Sequence, residues 1–256
     1  MYLASAFIAL LFVSGSVLIV WSVYFSGIRF VRAGFGSDTE TLAGSVIIRV
    51  SALHGLILAL VFAQELVSYE ELQRNLVREA TAVADIYNDI DRYGAEEKSA
   101  IQSSLSSYVR LVVDKEWRIL AEGNELSAEG WALREKIYQA VLDLVPNNPR
   151  QEALRDHMIN KVQLIAEFRQ ERENNANRTV NPLFWIAAIV GIVLITIPYF
   201  VFSPTRLHIV LLSVYGAFSG LVMFVIYAFS DPFSDPGALE PIPFERLLKT
   251  EIGESR

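Results

Sequence analysis

The sequence contains no cysteine. Disulfide frameworks, thiolate metal sites and cysteine nucleophiles are therefore excluded. Histidine is nearly as scarce: His54, His157 and His208 stand far apart and lack metal-ligand spacing. Charge is missing from two long stretches, residues 1–28 and residues 179–205. A chain folded in water throughout would mix its charges along its length, so this segregation excludes an ordinary soluble globule. A basic surface is lacking too. The formal net charge of −7 argues against nucleic acid as a partner, because phosphate binding needs positive charge.

What is present is four long apolar runs in 256 residues. A bilayer core needs about 20 apolar residues in a helix. The first run extends from Tyr2 to Phe25. No basic segment precedes it, its apolar core is long, and Trp21, Tyr24 and Phe25 form an aromatic belt at its end. It therefore reads as a span and not as a cleaved signal. The second extends from Gly44 to Val67, the third from Pro182 to Phe202, and the fourth from Leu207 to Phe229. Pro182 suits a first helical turn, and Pro198 is expected to bend the far end of its helix. The Ser203–Arg206 turn is short enough to demand an antiparallel pair. The lipid bilayer is thus the first partner.

Between the pairs lies a stretch, residues 69–181, dense in both signs of charge. Apart from Gly55, no Gly or Pro follows Gly44 before Ile90, so the second span is expected to continue into water as one helix, ended by Tyr93–Gly94. A second helix is expected over Ala95–Ala121, with Ile101, Leu105, Tyr108, Val112 and Trp117 as its stripe. Glu122–Gly123–Asn124 reads as a turn, and Ser127 as the cap of a third helix with Trp131, Leu133, Ile137, Val141 and Leu144. After a Val145–Pro149 loop, a fourth helix carries Leu154, Met158, Val162, Ile165 and Phe168, then a polar run, Arg169–Arg178. The fold class is an all-α integral membrane protein, its soluble helical domain inserted between spans two and three. The expected divisions are 1–68, 69–181, 182–230 and a C-terminal tail, 231–256.

No enzymatic pattern is present. Ser14–Gly15–Ser16 and Ser26–Gly27 lack a phosphate-loop context, and Glu70–Glu71 and Glu96–Glu97 read as helix surface. The second span carries the informative face. On a helical wheel Ser51, Gly55, Leu58, Phe62 and Glu65 share one side, with His54 at its edge. Two uses of that face are open. Ser51 and Gly55 allow close helix packing, with Glu65 at the membrane boundary. Alternatively the face lines a pore, with Leu58 and Phe62 as an apolar constriction and Glu65 at a mouth. After the fourth span, Asp231, Asp235 and Glu240 are candidate ligands for a hard cation, or simply residues of a turn-rich exit.

Three segments carry a family resemblance. They are Phe62–Leu66 running into Glu79–Ala82, Tyr108–Arg110 with Glu116–Trp117, and Asp231–Ser234. With the order of two spans, helical domain and two spans, the chain resembles the bestrophin-like bacterial membrane proteins, and more distantly the bestrophin anion channels. The resemblance implies a homo-oligomer, a pentamer, with a pore lined by the second span and small inorganic ions as cargo. It implies a bacterial cytoplasmic membrane location, with termini and middle domain on the cytoplasmic side. Charge alone leaves sidedness even: Arg29, Arg32 and Arg206 flank one side, and Arg74, Arg78, Arg169, Arg172 and Arg178 the other. A calcium clasp after the last span is also implied, though the acidic run at Asp231 is thin. A membrane-anchored interaction module without transport is the alternative. It requires a solvent-facing apolar patch on residues 95–168.

Overall fold

The computed structural model describes residues 2–30, 37–122, 125–250 and 252. The helices are α1 (Tyr2–Phe30), α2 (Ser37–Tyr93), α3 (Lys98–Leu111), α4 (Trp117–Ala121), α5 (Ala128–Leu142), α6 (Pro149–Ala176), α7 (Pro182–Thr196), α8 (Arg206–Ser230) and α9 (Ile242–Thr250). A π-helical segment, Val112–Glu116, links α3 to α4, and a 3-10 segment, Ile197–Val201, follows α7. Among the described residues there is no strand. Among the described residues four stretches are long and apolar enough to cross a membrane: Leu3–Phe30, Asp38–Tyr93, Pro182–Val201 and Arg206–Ser230. Arg32 and the Gly123–Asn124 pair lie outside the described residues.

The chain divides into two compact units. The first holds residues 1–68, 179–230 and 235–237; the second holds 69–178, 231–234 and the described residues from Ala238 on. Helix α2 contributes to both and runs unbroken from Ser37 to Tyr93. It stops where expected. Gly94 takes a φ of +76°, a left-handed conformation that suits glycine, and its N–H bonds the Ile90 carbonyl at 3.3 Å.

In the first unit the core gathers Val20, Tyr24, Leu58, Phe184, Ala188, Ile192, Leu212, Met223 and Ile226. Helices α1 and α8 approach through Gly216 and Gly220, a small-xxx-small pair of the kind that lets membrane helices meet backbone to backbone. A Cβ on Gly220 would sit 2.5 Å from the Phe12 carbonyl oxygen and 2.8 Å from Val13 Cα. Neither is a flexible side-chain end, so the helices would have to separate. Gly220→Ala is therefore expected to cost about 1–3 kcal/mol, read as a lower unfolding temperature in detergent. Pro198 acts as anticipated. It has no N–H for the Leu194 carbonyl, and α7 gives way at Ile197 to the tighter 3-10 turn.

The second unit is built on period-seven stripes. Leu72, Leu76, Val83, Ile86 and Ile90 of α2 pack with Ile101, Leu105, Tyr108 and Val112, with Ile137 and Val141, and with Met158, Val162 and Ile165. Ser127 caps α5, its hydroxyl accepting from the Gly130 N–H. Asn148 caps α6, so Pro149 lies inside the first turn of that helix and not in the preceding loop. Residues 231–256 read from the sequence as a separate tail. Instead Phe233, Leu239, Phe244, Leu247 and Ile252 join this core, and 242–250 form α9.

Candidate functional site

Helix α2 distributes the six candidate pore residues unevenly. His54, Leu58 and Glu65 are buried by the chain itself, at 5%, 5% and 7% exposure. His54 Nε2 lies 3.1 Å from the Ala188 carbonyl of α7, and Tyr215 Oη of α8 lies 3.2 Å from His54 Nδ1. Leu58 belongs to the apolar core of the first unit. Phe62 is half-buried against that core, its ring 6.1 Å from that of Phe229. Ser51 is half-buried, and Gly55 is exposed, with open space where a Cβ would stand. On this face α2 turns His54, Leu58 and Phe62 toward α7 and α8. The arc left uncovered is another one. It presents Arg49, Ala52, Leu53, Leu56, Leu60, Ala63 and Gln64.

The second unit hides an ionic cluster. Glu79, Glu116, Arg169 and Arg172 are all fully buried. Arg169 donates from both terminal nitrogens to the Glu116 carboxylate, at 2.7 Å from Nη1 to Oε2, and from Nη2 to the Ser127 carbonyl at 3.1 Å. Ser127 Oγ donates to the same carboxylate at 3.0 Å. Arg172 reaches Glu116 at 3.3 Å through Nη2, and its Nε lies 3.1 Å from Glu79 Oε2 without the alignment of a hydrogen bond. Tyr108 Oη donates to Glu79 Oε1 at 2.5 Å. Burial, and next the neighbouring Glu79 charge, hold the Tyr108 phenol well above its ordinary value, so it remains a donor. Aromatic rings close the cluster: Arg169 lies 5.0 Å from Trp131, and Arg172 lies 5.7 Å from Phe244.

The sequence holds a signal for this cluster. The α6 stripe Met158, Val162, Ile165 continues at the same spacing through Arg169 and Arg172, which are thus buried and not part of a solvated polar run. Glu79 likewise occupies a stripe position between Leu76 and Val83. Glu116 closes the π-helical segment and is buried there together with Val112, four residues before it.

Each of the three candidate cation ligands has its own local setting. Asp231 Oδ1 accepts from the N–H groups of Phe233 at 3.3 Å and Ser234 at 3.2 Å, which makes it a turn residue. Asp235 is exposed beside a cis Asp235–Pro236 bond, and Glu240 is exposed. Among the described residues no group of three His, Asp or Glu side chains could hold a metal ion.

Apolar spans and an all-helical fold define a multi-span membrane protein. The Bestrophin-like domain model matches residues 11–244, so the chain belongs to the bestrophin-like family. Among solved structures it is similar to a bacterial bestrophin homologue from Klebsiella pneumoniae. One single-site variant of that protein aligns at 15% identity with a TM-score of 0.59, covering 96% of this chain and 99% of the other. A second variant gives 15% identity and 0.57, covering 96% and 98%. At this identity the likeness shows the fold. No curated protein matches.

Proposed function

We propose that copies of this chain assemble as a ring in a bacterial cytoplasmic membrane and conduct small inorganic ions, with α2 lining the pore. The uncovered arc of α2 carries this proposal. The exposed sides of the other spans are bulky and apolar, such as Leu3, Phe7 and Leu10 of α1 and Leu207, Leu211 and Phe218 of α8. Such sides suit lipid. The arc on α2 sets Arg49 and Gln64, with the small Ala52 and Ala63, among Leu53, Leu56 and Leu60. A charge facing lipid is costly, whereas a water-filled path between copies accepts it. The resemblance to bestrophins supports a five-fold ring with the second unit in the cytoplasm.

Leu56 and Leu60, one turn apart on this arc, then form the constriction in place of Leu58 and Phe62, which the chain's own core engages. The test is ion flux in liposomes. Leu56→Ala/Leu60→Ala is expected to raise flux severalfold by widening and wetting the path. Leu58→Ala is expected to lower the unfolding temperature, at a cost of about 2–5 kcal/mol. Absence of flux above empty liposomes, or a purely monomeric protein, overturns the proposal. An interaction module is less well supported. Across 95–168 the exposed large apolar residues among those described reduce to Val145, which is no patch.

A further inference from the structure

His54 lies three turns inside the membrane part of α2 from Glu65, and packing for its own sake would favour an apolar residue there. We propose that His54 and Tyr215 form a proton-operated latch tying α2 to α7 and α8. The Ala188 carbonyl, 3.1 Å from Nε2, only accepts, so Nε2 carries the ring proton. Nδ1 then offers a lone pair, and Tyr215, at 3.2 Å, donates to it. Both ring nitrogens of the neutral imidazole are satisfied. Gly191 makes the seat possible, since a Cβ there would come within 2.7 Å of His54 Nε2.

Protonation changes this. A second N–H at Nδ1 would force Tyr215 to turn its proton away and give up the bond it donates, and the new charge would find no anion. Helices α1, α7 and α8 contain no Asp or Glu. The groups facing the ring are the Ala188 carbonyl from α7 and, from α8, Tyr215 with Ser219 hydrogen-bonded to it; Tyr199 lies beyond Tyr215. On α2 itself Glu65 is roughly 16 Å along the axis, and Arg49 is exposed on the other side. The imidazolium therefore favours any arrangement in which the ring leaves this seat for water. Neutral His54 holds α2 against α7 and α8, and acid releases it. Only the consequence for conduction rests on the channel proposal.

The lack of cysteine supplies the probe. In Leu60→Cys a nitroxide label has one site, on the exposed arc of α2. The full-length labelled protein is reconstituted in lipid and its spin-label spectrum is followed from about pH 7.5 to pH 4, on both sides of the ordinary histidine value near 6.5. The spectrum is expected to shift with a single acidic midpoint. His54→Gln is expected to hold one pH-independent spectrum. Tyr215→Phe keeps the ring but removes the donor to Nδ1, so its midpoint should rise by about half a unit or more. The proposal fails if the native background does not respond, if His54→Gln responds equally, or if Tyr215→Phe leaves the midpoint in place; this last variant decides should His54→Gln not reconstitute. Flux measured in parallel on the native chain, which carries no label at Leu60, separates the two proposals. A label shift without flux keeps the latch and sinks the channel, and flux without a label shift sinks the latch.

Discussion

Glu116→Gln is expected to destabilise the second unit by about 3–5 kcal/mol, the cost of removing one partner from a buried ion pair. That is a large share of a domain's usual 5–15 kcal/mol. Glu116 is the hub of the cluster: its two oxygens accept from Arg169, Arg172 and Ser127, and no solvent reaches it. Glutamine is nearly isosteric, so packing survives. It removes the charge facing two guanidinium groups and turns an NH2 toward at least one of them. Arg169 cannot shed its proton, and burial leaves it no water to turn to. The expected result is a lower melting temperature of the purified protein by circular dichroism. The exposed pair Lys115–Glu129, at 2.8 Å, serves as a control. Glu129→Gln should cost less than about 1 kcal/mol. If the two variants melt alike, the cluster is not holding the fold.

The same cluster permits a second comparison. Replacing both partners by apolar groups, as in Glu116→Leu with Arg169→Met, removes the unmatched charge and should recover part of the stability lost in the single variant. Arg172 and Glu79 would remain as a pair, at 3.1 Å. A double variant less stable than Glu116→Gln would mean that the specific geometry, including the Arg169 bond to the Ser127 carbonyl, contributes more than charge balance does.

The membrane spans were legible because charge-free length is a one-dimensional property. Breaks at Gly94 and Pro198, and the cap at Ser127, were legible because each rests on one residue's backbone chemistry. The cluster was not, because charged residues on an otherwise apolar stripe look like the edge of a polar face until a partner is known. Glu79, Glu116, Arg169 and Arg172 come from three separate stretches of chain, and only tertiary contact brings opposite signs together. The orientation of α2 was lost for a related reason. A wheel shows which residues share a face, such as Leu58 and Glu65, but not which face the rest of the chain covers. His54 illustrates both points: its position on the helix was plain, while its bonds to Ala188 and Tyr215 needed helices more than a hundred residues away.

Phe244→Ala is expected to cost about 3–5 kcal/mol, the usual loss for truncating a fully buried phenylalanine. The residue lies in a nine-residue helix near the end of the chain, where looseness is the ordinary expectation. Its ring is nonetheless fully buried and lies 5.7 Å from the Arg172 guanidinium. The chain leading to it is held by Trp117 Nε1, which donates to the Leu239 carbonyl at 2.7 Å, and by Leu239 N–H, which donates to the Pro232 carbonyl at 2.8 Å. Leu247 adds a second buried anchor one turn on. Truncation at Phe244 opens a cavity directly over a buried charge, so water entering it would loosen the cluster as well as the helix. Non-additivity therefore follows. In a double-mutant cycle, Phe244→Ala and Glu116→Gln should lose less together than the sum of their single losses, by about 0.5 kcal/mol or more. Lys249→Ala on the exposed side of the same helix should stay within about 0.5 kcal/mol of the native chain. Strict additivity would show that α9 covers the core without supporting the cluster beneath it.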